Sequence, residues 1–327
     1  MRITVLPTLA IFALAAFASA DHFQFVVAGD GRSDPGAKPP RPEDKNGVNT
    51  VITSEMAQAV IAEHAKFLLW TGDLVLGTRG DAQQFEGMLL TWRGLMEPLY
   101  QRHIPVLACR GNHESGSPNG IAVWDKVFTG KYAMPNNGPA TEKNLSFYYT
   151  YGPVLAVGLD EYVVDPRSIA VNVPWLQSVI KAHPKPFVFA FGHEPAFMDG
   201  AHTDLLDNDV QKRDALWETL IGCGSRVFFC GHDHLYDHMT VVRKGKNPGP
   251  ELHQFVAGTA GAPFYKEGDY KGANSYWQLT RVKNILNTYG YMLVDINGST
   301  ATITFKGRVA PGKYKAMDSF SFSLKPK

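Results

Sequence analysis

The chain has 327 residues, of which 44% are hydrophobic and 19% are charged. This composition is ordinary for a globular protein that buries a large core. The formal net charge at pH 7 is +1. The charge balance therefore gives no reason to expect a nucleic acid or an acidic membrane surface as the main partner.

The first 20 residues have the features of a signal peptide. Arg2 supplies a positive start, residues 5–17 are apolar, and Ala18-Ser19-Ala20 forms a small-residue cleavage pattern. A membrane anchor is the alternative, but the apolar run is short for a membrane span and ends in the cleavage pattern. We predict that residues 1–20 are removed and that residues 21–327 form a single exported domain, periplasmic or secreted, with no stable membrane insertion.

Three cysteines make a poor disulfide framework for an exported protein. Cys109 and Cys230 each end an apolar run, which is typical of buried free thiols. One disulfide is the alternative, with Cys223 and Cys230 as one of three possible pairs. The sequence leaves both alternatives open.

The first part of the chain alternates apolar strands with helical patterns. Strands are predicted at 23–28, 67–70 and 105–108, with one helix between 48 and 60 and a longer helix that Asp81 caps with Gln84. This order predicts a largely parallel sheet with helices on its outer face. Parallel sheets bind ligands at the carboxyl ends of their strands.

The second part adds further strands and two helices. Strands are predicted at 146–151, 154–159, 187–191, 227–230, 239–243 and 252–257, a hairpin turns at Asn297-Gly298, and helices follow Asn172 and Asp209. Loops are predicted at 33–47, 128–145 and 258–288. No domain boundary or repeat is evident, so two α/β halves are expected to pack two sheets together.

Five of the apolar runs end in a glycine followed by a residue that can bind a metal or transfer a proton. They are Gly29-Asp30, Gly72-Asp73, Gly111-Asn112-His113-Glu114, Gly192-His193 and Gly231-His232-Asp233-His234. His232 and His234 are two residues apart, so both imidazoles point to the same side of an extended segment. One such residue alone is ordinarily a turn, a cap or a core histidine. Five such strand ends in one chain favour a shared site.

The six candidate ligands offer only oxygen and nitrogen donors: Asp30, Asp73, Asn112, His193, His232 and His234. Such donors suit Mn, Fe, Zn or Ni ions, divalent or trivalent. Six ligands are too many for one tetrahedral zinc, but they suit two ions that share a carboxylate. Two-metal sites support in-line displacement at phosphorus, with a metal-bound hydroxide as the nucleophile. The remaining histidines show no comparable setting and are expected on the surface or in the core: His22, His64, His103, His183, His202, His238 and His253.

These ordered motifs resemble those of the calcineurin-like metallophosphoesterases, over about residues 23–305. The resemblance implies a four-layer α/β/β/α sandwich with two mixed sheets packed face to face. It also implies that Asp73 bridges two metals and that His113 is the general acid. The remaining ligands divide between the two ions, with Asp30 and His234 on the first metal and Asn112, His193 and His232 on the second.

Two positions depart from the family pattern. Arg32 stands where the family usually has a histidine ligand, and a guanidinium does not bind metal. Arg32 either binds a substrate phosphate or forms a structural salt bridge. Leu76 stands where many members have Asp or Asn, which leaves the orientation of His113 open, with Glu114 as a possible substitute.

The sequence thus predicts an exported metal-dependent phosphoric ester hydrolase that acts on a small phosphate ester. The alternatives are a mononuclear variant of the site, because of Arg32, and a phosphate-ligand binding protein without turnover. Aromatic residues near the predicted site, Tyr265, Tyr270 and Trp277, either stack on a substrate or pack in the core. Monoester and diester substrates are not distinguished.

Overall fold

The computed structural model describes residues 22–78, 80–165, 168–198, 200–203, 205–245, 249–266 and 276–324. The predicted signal peptide and Tyr270 lie outside the described residues. Within the described part of the chain, no helix is both long enough and apolar enough to cross a membrane.

The first large sheet has six strands and carries the amino-terminal part of the predicted site. Its strands are β1 (His22–Ala28), β4 (Leu68–Trp70), β5 (Val106–Ala108), β13 (Gly290–Asn297), β14 (Thr300–Ala310) and β15 (Lys313–Ser323), in the spatial order β15-β14-β13-β1-β4-β5. Strands β1, β4 and β5 are parallel, whereas β13 pairs antiparallel with β1. The sheet is therefore mixed, as predicted.

The second large sheet has seven strands and carries the predicted histidine ligands. Its strands are β6 (Phe147–Tyr151), β7 (Val154–Gly158), β8 (Phe187–Phe191), β9 (Val227–Cys230), β10 (Tyr236–Arg243), β11 (Leu252–Ala257) and β12 (Trp277–Ile285), in the order β12-β10-β11-β9-β8-β7-β6. The inner strands β7, β8, β9 and β11 are parallel. A further short pair consists of β2 (Asp44–Lys45) and β3 (Val48–Asn49).

Seven helices are formed by the described residues. They are α1 (Thr50–Ala62), α2 (Ala82–Leu95), α3 (Glu97–Tyr100), α4 (Asn112–Ser115), α5 (Gly120–Val127), α6 (Val173–Ala182) and α7 (Val210–Gly222). The three predicted caps are present, because the side chains of Asp81, Asn172 and Asp209 each accept a backbone N–H of the first helical turn. Gln84 does not complete the expected capping box; its side chain accepts a hydrogen bond from Thr78.

Alternation along the strands explains the four layers. In β8, Phe187, Phe189 and Phe191 belong to the core shared with the first sheet, whereas Val188 and Ala190 belong to the core beneath α6 and α7. The two sheets meet directly, with the rings of Phe25 and Phe189 5.5 Å apart. Burying each large apolar side chain contributes about 1.5–3 kcal/mol. The predicted arrangement of two mixed sheets packed face to face, with helices outside, is confirmed.

The sequence prediction was wrong in part of the second half. The segment expected to be a loop over 258–288 contains β12, which pairs with β10. Its alternation of buried and exposed residues is weak, so the pattern did not separate it from a loop. Helix α5 and strand β15 were also not anticipated. All three cysteines are free thiols, as the first alternative held.

Candidate metal centre

The carboxyl ends of both sheets meet at one place and bring all six predicted ligands together. Asp30, Asp73 and Asn112 follow the parallel strands β1, β4 and β5 of the first sheet, and His193, His232 and His234 follow β8 and β9 of the second. The two carboxylates and three histidines are at most 1% exposed, and Asn112 is half-buried. Burying so many polar groups in one cavity is costly unless they share a partner.

Three of these residues have an uncommon backbone conformation. The φ angles of Asp30, Asp73 and His232 are 63°, 47° and 69°. For residues with a Cβ atom, the left-handed region costs free energy and is found at functional sites. From these turns, Asp30 accepts the backbone N–H of His232 and Asp73 contacts Nε2 of His193, both from the other sheet.

Glycine is required in these motifs because side chains from elsewhere approach the backbone closely. A Cβ atom at Gly111 would lie 2.1 Å from Oδ1 of Asp73, and one at Gly231 would lie 2.2 Å from Oδ2 of Asp30. Both clashes involve a buried carboxylate from another motif: Asp73 follows β4, the neighbour of β5, and Asp30 follows β1 of the opposite sheet. The glycines therefore make room for ligands that come from other motifs.

One group of donors is already spaced as metal ligands are. The Nε2 atom of His193 lies 3.1 Å from Oδ1 of Asn112, 3.2 Å from Nδ1 of His232 and 3.4 Å from Oδ1 of Asp73. Metal–nitrogen bonds of about 2.1 Å place neighbouring donors roughly 3.0–3.4 Å apart. Each of the other three donors thus lies at a distance from His193 that is typical of two ligands on one ion, and we call these four side chains the inner group.

Neighbouring residues fix the orientation of the two inner-group histidines. The Nδ1 atom of His193 lies 2.8 Å from the carbonyl oxygen of Thr71. On His232, Nε2 lies 3.1 Å from Oε2 of Glu194, and Oε1 of the same carboxylate accepts a hydrogen bond from the hydroxyl of Tyr162. A carbonyl or carboxylate on the distal nitrogen sets the tautomer of a metal-binding histidine. Both imidazoles thus direct their other nitrogen into the centre.

A second group of donors lies on the other side of Asp73. Nε2 of His234 is 3.6 Å from Oδ1 of Asp30, and its Nδ1 is 2.7 Å from the carbonyl oxygen of Pro263. Arg32 is only 7% exposed, and its Nε lies 3.9 Å from Oδ2 of Asp73. We call Asp30, His234 and the Oδ2 side of Asp73 the outer group. This group has fewer ligands and a neighbouring cation.

Tyr265 connects Arg32 to the outer group. Its hydroxyl accepts a hydrogen bond of 2.8 Å from Arg32, and its ring stacks on the imidazole of His234 at 4.0 Å. Trp277, by contrast, packs in the core. Its ring is fully buried beside α7, where its indole N–H donates to Asp214. Tyr265 belongs to the site and Trp277 to the core.

Burial and charge set the protonation of the cluster. Burial, followed by the charge of Asp73, raises the pKa of Asp30. Burial also raises the pKa of Asp73, but His193, His113 and Arg32 outweigh it and hold that pKa below its usual value. Burial lowers the pKa of His193 to about 4 and that of His234 well below its usual value. The two imidazoles are neutral near pH 7, which is the form that binds metal.

His113 faces the same carboxylate from the solvent side. Its Nε2 lies 3.7 Å from Oδ2 of Asp73, its side chain is 27% exposed, and its Nδ1 contacts the main-chain carbonyl of Leu76. The side chain of residue 76 is therefore not needed to orient the imidazole. The idea that Glu114 replaces it was wrong, because Glu114 accepts the N–H groups of Gly111 and Val75 instead.

Two residues at the centre were missed in the sequence. The ring of His202 lies against that of His232 at 3.9 Å, its side chain is 26% exposed, and its Nδ1 is 3.0 Å from Oδ1 of Asp233. Glu194 was also not singled out. The buried Asp233, between two predicted ligands, was the available signal for a partner such as His202. Glu194 directly follows His193, but nothing in the sequence shows that its carboxylate faces His232.

Comparison with known proteins identifies the family. The model of the calcineurin-like phosphoesterase family matches residues 46–236, more than half of the chain. The chain belongs to the calcineurin-like phosphoesterase family. The matched region includes Asp73, Asn112 and the three histidines of the centre, and it begins after Asp30 and Arg32.

Two curated relatives of this calcineurin-like phosphoesterase come from Arabidopsis thaliana. It is 25% identical to purple acid phosphatase 23 over 154 residues, which are 46% of this chain and 32% of the relative. It is also 25% identical to purple acid phosphatase 18 over 196 residues, 58% of this chain and 44% of the relative. The chain thus spans less than half the length of either relative.

Solved structures share the fold at low sequence identity. The purple acid phosphatase PPD1 from yellow lupin aligns with a TM-score of 0.64 and 14% identity, covering 93% of this chain and 54% of that one. A dimetal phosphatase from Danio rerio aligns with a TM-score of 0.59 and 12% identity, covering 93% and 99%. Both support the same two-sheet sandwich.

Proposed function

We propose that this calcineurin-like phosphoesterase is a metal-dependent hydrolase of phosphate esters with two metal ions around Asp73. One observation carries the proposal. Six oxygen and nitrogen side chains from five strand ends converge in one buried place, and the inner group has the separations expected of donors on one ion. Residues that served only in turns, as helix caps or in the core would have no reason to meet in one place.

The donor chemistry fits two ions of Mn, Fe, Zn or Ni. Asn112, His193 and His232 would hold the ion of the inner group, Asp30 and His234 would hold that of the outer group, and Asp73 would bridge them. When bound, such ions lower the pKa of a coordinated water and neutralise charge on a phosphoryl group. The neutral state of His193 and His234 supports this assignment.

Two residues of the chain would act on the substrate itself. His113 would give its proton to the leaving oxygen, because its Nε2 faces the centre while the Leu76 carbonyl holds Nδ1. Arg32 would bind a non-bridging phosphate oxygen through its guanidinium. The contact of Arg32 with Tyr265 supports this role, since it fixes the guanidinium beside Asp73.

We further propose that the substrate is a small phosphate ester and that the protein is exported. The apolar residues 5–17 followed by Ala18-Ser19-Ala20 support export. An assay of exported protein by fractionation would test it, and retention of residues 1–20 in the mature chain would contradict it.

Hydrolysis of an aryl phosphate tests the proposed activity. Purified wild-type protein, loaded in turn with Mn, Fe, Zn and Ni, should hydrolyse 4-nitrophenyl phosphate, and chelation should abolish the activity. Metal analysis should find two ions per chain; one tightly bound ion would establish the mononuclear variant. Tight binding of phosphate without hydrolysis, across metals and pH, would instead establish a binding protein.

A further inference from the structure

Arg32 is a buried arginine with an incomplete set of hydrogen bonds. Its Nη1 donates to the carbonyl oxygen of Ser33 at 3.2 Å, and its Nη2 donates to the hydroxyl of Tyr265 at 2.8 Å. Among the residues that the structure describes, none accepts a hydrogen bond from Nε, which lies 3.9 Å from Oδ2 of Asp73. A buried donor without an acceptor is costly. The free N–H therefore indicates an acceptor that arrives with a ligand.

Arg110 shows what a structural ion pair looks like in the same protein. It is 3% exposed and holds Asp160 through two hydrogen bonds of 2.8 and 3.1 Å. This bidentate geometry is the one that a guanidinium and a carboxylate prefer. Arg32 forms no such pair with Asp73. Its geometry therefore favours binding of an anion over a salt bridge that only holds the fold.

The hydroxyl of Tyr265 has a hydrogen to donate. A phenol is protonated at pH 7, since its pKa is ordinarily about 10, and it can donate and accept at the same time. Its oxygen accepts from Arg32, and no described residue accepts its hydrogen. Tyr265 is half-buried, so its hydroxyl is not closed off from a ligand. Arg32 and Tyr265 thus offer two neighbouring donors to one oxygen.

The segment that carries Tyr265 is anchored to both outer ligands. The backbone N–H of Ala262 donates to the carbonyl oxygen of Asp30 at 2.8 Å. The carbonyl oxygen of Pro263 lies 2.7 Å from Nδ1 of His234, and the ring of Tyr265 stacks on the same imidazole. These contacts fix the phenol beside the metal centre. Donors that are already in place bind an anion without the cost of ordering them.

Arg32 and His113 approach the same oxygen of the shared carboxylate. Nε of Arg32 lies 3.9 Å from Oδ2 of Asp73, and Nε2 of His113 lies 3.7 Å from it. A general acid must lie within hydrogen-bond reach of the leaving oxygen. A phosphoryl group whose leaving oxygen meets His113 would therefore have Arg32 close to its terminal oxygens.

We propose that Arg32 and Tyr265 together bind one terminal oxygen of the substrate phosphate, through the guanidinium Nε and the phenol hydroxyl, and that this pair selects phosphate monoesters over diesters. The inference rests on the proposed function, because the two ions would account for two terminal oxygens. A monoester has three terminal oxygens and a diester has two, so only a monoester leaves one for this pair. A monoester also carries more negative charge, which the guanidinium attracts.

Tyr265→Phe tests the pair, because it keeps the ring on His234 and removes only the hydroxyl. Inorganic phosphate should inhibit about tenfold more weakly, and KM for 4-nitrophenyl phosphate should rise about tenfold, since a hydrogen bond to a charged group is lost. The kcat should change less than about threefold, because the contact is made before and during the reaction. For the diester bis(4-nitrophenyl) phosphate, kcat/KM should change less than about twofold.

Tyr289→Phe is the matched control. Tyr289 is also half-buried, and its hydroxyl accepts a 2.9 Å hydrogen bond from Arg41, which pairs with Asp44 instead of facing the metal centre. This variant should keep the wild-type KM and phosphate inhibition. Metal content should be unchanged in Tyr265→Phe. Loss of a bound ion there would mean that the phenol only supports His234, and it would overturn the inference.

A double variant shows whether Tyr265 itself contacts the phosphate. If the hydroxyl only held the guanidinium in place, Tyr265→Phe would have no further effect in an Arg32→Ala background. We expect a further loss of phosphate affinity of about threefold or more. No further loss would make Tyr265 a positioning residue for Arg32 and would overturn its direct contact.

Calorimetric titration with inorganic phosphate separates this inference from the proposed function, because binding needs no turnover. If Tyr265→Phe weakens phosphate binding about tenfold but wild-type protein hydrolyses no ester, the proposed activity is wrong and the phosphate-binding pair stands. If esters are hydrolysed and Tyr265→Phe binds phosphate like wild type, the pair is wrong. Equal losses of kcat/KM for the monoester and the diester would show that the pair does not select between them.

Discussion

The inner and outer groups of the metal centre share Asp73 but differ in the number of their ligands and in the charge beside them. In the inner group, the donor atoms of His193 and His232 lie 3.2 Å apart, and each imidazole has an oxygen partner on its other nitrogen, as His234 of the outer group also has. In the outer group, Nε2 of His234 lies 3.6 Å from Oδ1 of Asp30, and the guanidinium of Arg32 lies beside Asp73. We therefore expect the inner group to bind its ion with little rearrangement.

The difference lies in what competes for Asp73. In the inner group, burial lowers the pKa of His193 to about 4, so this imidazole is neutral at pH 7 and leaves Oδ1 of Asp73 available to a metal. Oδ2 faces the permanently charged guanidinium of Arg32 at 3.9 Å. An outer ion must therefore bind close to a fixed positive charge. We expect the two ions to differ in affinity, with the inner ion bound more tightly.

The largest effect is expected from Asp73→Asn, which removes the carboxylate that both groups share. A neutral amide cannot balance two ions, and losing several kcal/mol of charge stabilisation lowers the rate by about 10³-fold or more. Hydrolysis of 4-nitrophenyl phosphate and metal analysis are the measurements. Asp295→Asn, on β13, is the control and should behave like wild type. Normal metal content and rate in Asp73→Asn would disprove the shared role.

Removing one histidine from each group should change the metal content in different ways. His232→Ala should lose the tight inner ion, whereas His234→Ala should lose only the outer ion and keep about one ion per chain. Metal analysis after dialysis distinguishes the two. His22→Gln, at a largely exposed histidine outside the centre, should keep the wild-type content. Equal loss from both histidine variants would show that the two groups do not bind separate ions.

Arg32→His should strengthen the outer group. The change removes a cation and adds an imidazole, so the outer ion should bind about tenfold more tightly, while inorganic phosphate should inhibit more weakly. Calorimetric metal titration and the inhibition constant of phosphate measure the two effects. Unchanged phosphate inhibition would mean that Arg32 forms only a structural salt bridge with Asp73.

The smallest effect is expected from Leu76→Ala. The main-chain carbonyl of residue 76 contacts Nδ1 of His113, and that carbonyl remains in the variant. The rate should change less than about threefold, whereas His113→Asn should lower it by about 10²-fold, most strongly for alkyl phosphates with poor leaving groups. A loss in Leu76→Ala as large as that in His113→Asn would show that the side chain itself positions the acid.

The ligands of the centre were predictable because they are tied to strand ends. A buried parallel strand has a clear apolar signal, and its carboxyl end has a known place in an α/β sheet. The spacing of His232 and His234 added the direction of their side chains. The fold class followed from the same alternation of strands and helices.

The partners of these ligands were not predictable. Glu194 and His202 lie in irregular segments whose positions are set by tertiary packing. Tyr265 was expected near the site, but its stacking on His234 was not. Strand β12 was missed because its outer positions are mostly exposed, so its pattern was weak. The support for His113 was missed for another reason: it comes from a backbone carbonyl, which every residue carries.

The six donors come from both sheets, and this has a consequence for the stability of the whole domain. Asp30, Asp73 and Asn112 belong to one layer of the sandwich and the three histidines to the other. Bound ions would cross-link the two sheets, because each ion would have ligands from both. Because such a site does not exist in an unfolded chain, the free energy of metal binding adds to the free energy of unfolding. Removing the metal should therefore lower the melting temperature of both sheets together, in a single transition.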